Sequence, residues 1–141
     1  MNTLNTNSRR RHMTSGYNDF SKESYALFRT ELGVFGATAT TNPKDTPSEG
    51  VGITIAKQRA TIKYWQAVKR KTRIELNALM DMYSGIQDMR DFNYDSLEAR
   101  RMRRAIYEKE DDIKQIRKNI EECRKIIHDV LAEWERICSP L

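Results

Sequence analysis

Proline, glycine and cysteine are all scarce in this chain, and each scarcity excludes something. The three prolines and six glycines fall mostly before residue 53, so little beyond that point can break a helix. The two cysteines, Cys123 and Cys138, are too few for a disulfide framework. They suit a reducing intracellular compartment, cytoplasm or nucleus. No apolar run approaches the roughly 20 residues that span a bilayer, and no signal-peptide core is expected. Membrane partners are therefore not expected. The only histidines are His12 and His128. Cys123 and His128 stand five apart, which on a helix turns them to different faces, whereas helical metal ligands stand three or four apart. No metal, no cofactor and no small-molecule substrate is expected.

Catalytic motifs are also missing. No phosphate-cradling glycine loop, nucleophile elbow or HExxH occurs. The acidic run Glu108, Glu110, Asp111 and Asp112 would need a pocket to shift its pKa, and it more simply pairs with Lys114 and the basic residues of a facing helix. The chain is expected not to be an enzyme.

What is present is charge and helical periodicity. Of 141 residues, 38% are hydrophobic and 32% charged, a poorer core and a richer surface than the roughly 45–50% and 25% of ordinary globular domains. Such a balance suits elongated helices. The net charge of +5 is uneven. Residues 1–73 hold 13 Lys/Arg against 5 Asp/Glu, and the remainder holds 12 against 15. A basic front half invites an acidic partner.

Residues 1–20, rich in Asn, Thr, Ser and Arg, read as a disordered basic tail. The first 18 contain no acid, a composition that also fits a targeting presequence. Residues 21–35 read as a short amphipathic helix capped by Ser21 and stopped at Gly33, because Tyr25, Phe28, Leu32 and Phe35 are spaced 3, 4 and 3. Residues 36–52 read as a flexible linker broken by proline and glycine.

Residues 53–90 read as one long helix, with Ile55, Ile62, Trp65, Leu76, Leu79, Tyr83 and Ile86 on a 3–4 repeat. Residues 91–95 form a turn, after which Asp95 and Glu98 resemble a capping box. Residues 96–138 read as a second helix with a sustained heptad. Its a series is Ala99, Ile106, Ile113, Ile120, Ile127 and Trp134. Its d series is Met102, Lys109, Ile116, Cys123, Val130 and Ile137, with Lys109 the single charged slot. The expected fold is all-α: a long antiparallel two-helix coiled-coil hairpin over 53–138, a short N-terminal helix and a disordered tail. With a reversal near residue 93, Trp65 is expected to meet the Cys123 region, and Ile55 the Leu131–Trp134 region.

The apolar stripe widens beyond Cys123, where Ile126 and Leu131 flank the a and d residues. A wide stripe must touch more than one neighbour. Either the N-terminal segment folds back onto it, or a partner does. The expected function is thus a non-enzymatic structural or adaptor subunit. It would dock into a larger assembly, or self-associate, by coiled-coil packing of Ile126, Ile127, Val130, Leu131, Trp134 and Ile137, with Tyr25 and Phe28 contributing. The alternative is a nucleic-acid-binding accessory protein. Lys57, Arg59, Lys63, Lys69, Arg70, Lys71 and Arg73 would neutralise phosphates beside Tyr64 and Trp65. The tail's Arg9, Arg10 and Arg11 and the Arg100, Arg101, Arg103 and Arg104 cluster are further cations. The KRKTR run also fits a nuclear-localisation patch.

The Tyr83-Ser84-Gly85 ending of a basic helix, followed by the helix carrying Ile106 to Ile127, resembles phage recombination-mediator proteins. The resemblance leaves residues 1–50 out. It implies helical oligomers that load a recombinase onto single-stranded DNA.

Overall fold

The structure, a computed structural model, describes residues 11–40 and 49–138. The element order is β1 (His12–Asn18), β2 (Glu23–Thr30), β3 (Gly33–Thr40), α1 (Glu49–Gln87) and α2 (Leu97–Cys138). The strands form one antiparallel meander in the order β1-β2-β3. The all-α expectation is therefore wrong. The segment expected to be a short helix is β2 with the start of β3, and residues 12–18 of the expected disordered tail are β1. The linker expected over 36–52 gives its first residues to β3 and its last to α1. Arg9, Arg10, the middle of that linker and Pro140 lie outside the described residues.

The turns explain how the meander forms. Between β1 and β2, the Asn18 side chain accepts hydrogen bonds from the Phe20 and Ser21 backbone amides, at 2.9 and 3.4 Å, an Asx turn. Lys22 then adopts a left-handed φ of 58°. Between β2 and β3 the reversal takes only Glu31 and Leu32. Thr30 Oγ1 accepts from Leu32 N and donates to the Gly33 carbonyl. Gly33 sits at φ 119°, a conformation that residues with a Cβ resist.

Alternation along the strands sets two faces. The inner face carries Met13, Ser24, Ala26, Phe28, Phe35, Ala37 and Ala39 and lies on the first third of α1. The core there is Ala26, Ala39, Ile55, Ala56 and Ala60, with Met13, Phe28, Ala37 and Val51 packed around it. Four of the five core residues are alanines, so sheet and helix approach closely. At the closest point Gly52 faces Ser24, and a Cβ on Gly52 would stand 2.2 Å from Ser24 Oγ. The outer face carries Tyr25, Leu27 and Val34, all substantially exposed. Tyr25 lies over Gly16, and Leu27 over Gly36.

Along α2 the a and d residues from Ala99 to Trp134 are buried or half-buried, whereas Ile137 is exposed. α1 has 39 residues and α2 has 42, about 58 and 63 Å at 1.5 Å per residue. Ile116 and Ile120 are buried against Ile62, Trp65 and Val68. Trp65 thus packs against the Ile116–Ile120 cluster, and Glu75 opposite Lys109 and Tyr83 opposite Arg103 set the register of the seam. Thr72, in a polar seam slot, is buried and donates its hydroxyl back to the Val68 carbonyl at 2.8 Å. Lys109, the charged d residue, pairs with Glu75 across the seam.

At the reversal, Ser96 caps α2 in place of Asp95: its Oγ accepts from Ala99 N at 3.1 Å. Asn93 Oδ1 accepts from Asp95 N, and the Asn93 carbonyl from Ser96 N. Arg103 locks the two helices together beside this turn. It donates to Tyr83 Oη at 2.9 Å and lies 3.6 Å above the Tyr94 ring. Among the described residues no helix is long and apolar enough to cross a membrane.

Candidate functional site

The widened stripe of α2 finds its second neighbour inside the chain. Ile127 and Val130 pack against the core shared by the sheet and α1. The N-terminal segment does fold back, as a sheet. Trp134 is half-buried. Ile126 and Leu131 remain 40% exposed and Ile137 66% exposed, so only part of the expected partner surface is open. Phe28 points inward, and its ring meets Tyr64 edge-on at 5.3 Å. Tyr25 lies on the outer face of the sheet.

Tyr64 is the centre of an aromatic knot. It is 2% exposed, contacts Phe28, Phe35 and Trp65, and has the Arg11 guanidinium 5.1 Å from its ring. Its hydroxyl donates to Glu31 Oε1 at 2.6 Å. Burial raises the phenol well above its ordinary value. The Glu31 hydrogen bond adds to the rise, and the Arg11 charge opposes it. Tyr64 is therefore a packed side chain, and Trp65 lies half-buried beside it.

The basic residues of α1 divide into two groups. Arg59 donates to the Thr38 carbonyl at 2.9 Å, and Lys63 to the Gly36 carbonyl. Both acceptors lie on β3, an edge strand. These two cations thus satisfy and shield a sheet edge, and they are committed to the fold. Further along, Arg70, Lys71 and Arg73 are exposed and Lys69 is half-exposed. Lys57 is half-buried two positions before Arg59.

The second group gains cations from α2. The Lys69 ammonium is pushed below its ordinary value, first by desolvation and then by the charges of Arg117, Arg73 and Arg124. Arg73, Lys114 and Arg117 line one groove between the helices, with Leu76, Asn77, Glu110 and Ile113. Lys69, Arg73, Lys114, Arg117 and Arg124 thus form one cross-helix basic cluster. Glu110 lies in it, and Glu121 pairs with Arg124 at 2.9 Å. The α2 members were missed in the sequence. Arg117 and Arg124 stand seven apart beside the seam, in the heptad positions that flank a facing helix.

The distal half of the hairpin exposes several large apolar side chains. Ile74, Met80, Met82, Met89, Leu97 and Tyr107 are each roughly half exposed or more. One groove runs between the helices along Met80, Tyr83, Gln87, Ile106 and Tyr107. A second hollow lies on α2 at Leu97, Arg101, Met102 and Ala105. Of the groups weighed for chemistry, Cys123 is buried in the seam, where burial raises its thiol pKa. His128 is exposed beside Asp129. Glu108, Glu110 and Asp111 are exposed along α2.

Comparison of the chain with protein-family models, curated proteins and solved structures gives no match.

Proposed function

We propose that this chain is a non-enzymatic structural subunit that docks into a larger macromolecular assembly through the distal half of its helical hairpin. One observation carries the reading. The sheet covers the proximal half, whereas among the described residues the distal half has only two helices and exposes Ile74, Met80, Met82, Met89, Leu97 and Tyr107. A two-helix layer normally buries its remaining apolar faces against a third element. Methionines at such a surface adapt to a partner helix. A photo-crosslinker placed at Met80 or Tyr107 is expected to capture a discrete protein partner, while the same probe at Arg70 is not. Absence of any discrete adduct from both apolar positions overturns the reading.

A second reading is favoured by the cross-helix basic cluster. Five cations held together by two helices repel one another, as the lowered Lys69 pKa reflects, and a phosphate backbone would relieve that repulsion. In this reading Lys69, Arg70, Lys71 and Arg73 act with Lys114, Arg117 and Arg124. Light-scattering mass measured with single-stranded DNA is then expected to rise at low salt and fall back at high salt. A mass that ignores DNA at low salt excludes it.

A further inference from the structure

We infer that β1 is a pairing edge for a second copy of this chain, joining two three-stranded sheets into one six-stranded antiparallel sheet. The direction of each backbone group follows from β3. The Gly36 and Thr38 carbonyls point away from β2, since Arg59 and Lys63 reach them from outside. In an antiparallel ladder successive residues point to opposite neighbours. The pairing is continuous, with Gly36 opposite Leu27, Ala37 opposite Ala26, and Gly16 opposite Tyr25. The odd-numbered residues of β2 therefore face β1, the even-numbered residues of β1 face β2, and the amides and carbonyls of Met13, Ser15 and Tyr17 point outward. Among the described residues nothing takes these groups.

The two edges of this sheet are thus treated differently. β3 is closed by two cations. β1 carries no proline, no acidic or basic side chain from Met13 to Asn18, and no bulge, so it lacks the usual devices against strand pairing. α1 lies mainly against β2 and β3, which leaves room beside β1.

The strand is also complementary to itself. Antiparallel pairing about Ser15 sets Met13 opposite Tyr17 of the second copy and Thr14 opposite its Gly16. Ser15 pairs with itself, and the Met13–Tyr17 pairs flank it. All three are hydrogen-bonded pairs, for about six backbone hydrogen bonds. The two-fold axis makes the contact closed, so association stops at two.

The full chain is expected to sediment at twice its 16.5 kDa mass, with the Met13, Ser15 and Tyr17 amides as protected from hydrogen exchange as those of Thr14 and Gly16. Ser15→Pro removes an outward amide, a change that an edge strand tolerates. It is expected to halve the mass with unchanged helical circular dichroism. A single-chain mass for the wild type at all concentrations overturns the inference, as does a folded Ser15→Pro variant that keeps the double mass. Should the proline variant fail to fold, the wild-type exchange pattern decides: fast exchange confined to Met13, Ser15 and Tyr17 marks an open edge and overturns it.

Discussion

Replacing either of two glycines in α1 by alanine should shift stability in opposite directions. In a helix, Gly→Ala is favourable by up to about 1 kcal/mol, because glycine has more backbone freedom to lose. At Gly85 nothing lies within 4 Å of the added Cβ, so that gain is realised in full. At Gly52 the Cβ would meet Ser24 Oγ at 2.2 Å and Ser24 Cβ at 3.0 Å. Ser24 is fully buried on β2, so its hydroxyl cannot swing out to water. Helix and sheet must separate locally, at a cost of about 1–3 kcal/mol, which outweighs the helical gain. For a chain of this size 1 kcal/mol moves Tm by roughly 3–4 °C. Gly85→Ala should therefore raise Tm by about 2–4 °C, and Gly52→Ala should lower it by up to about 8 °C. Thermal unfolding followed by circular dichroism at 222 nm reads both. Adding Ser24→Ala to Gly52→Ala removes the closer contact and should restore much of the loss, so the pair will be non-additive. Ser24→Ala alone should cost little, since its buried hydroxyl has no hydrogen-bond partner among the described residues. If Gly52→Ala stabilises as much as Gly85→Ala does, the close packing of α1 on the sheet is refuted.

Two further expectations follow from side chains that hold the sheet. The folded chain keeps the Tyr64 proton at a pH where the unfolded chain releases it, because burial and Glu31 raise its pKa from 10.0. That contribution is full below pH 10 and is lost as pH rises above it; chemical denaturation from pH 8 to 11 should show stability falling, with a shallower fall in Tyr64→Phe. Arg59→Ala with Lys63→Ala uncovers the β3 carbonyls and should cost roughly 0.5–1.5 kcal/mol per lost hydrogen bond. It should also drive association beyond the wild-type species in sedimentation, and an unchanged sedimentation profile would show that β3 needs no shield.

The basic cluster was half legible. Lys69 and Arg73 stand out as a run in α1, but their company with Lys114, Arg117 and Arg124 depends on how two helices align, which no local pattern states. Arg59 and Lys63 look the same as Lys69 and Arg73 in sequence, and only the position of β3 separates edge-capping cations from those that gather across the hairpin. Ile127 and Val130 likewise look like a docking surface until the sheet is seen to cover them.

By itself the sequence determined the hairpin. Periodicity over α1 and α2 is local, and each helix makes its own backbone hydrogen bonds, so seam residues such as Ile113, Ile116 and Ile120 could be read one by one. The sheet was decided only by tertiary structure. A strand's hydrogen bonds lie in its neighbours, and the inner face here mixes Ser24, Ala26, Ala37 and Ala39 with Phe28 and Phe35, so it marks no clear period of two. The large residues Tyr25, Leu27 and Val34 face outward instead, and Tyr25, Phe28, Leu32 and Phe35 happen to fall at helical spacing. Three strands with so thin an apolar face are held by α1, whose Gly52, Ala56 and Ala60 let it come close enough to bury them.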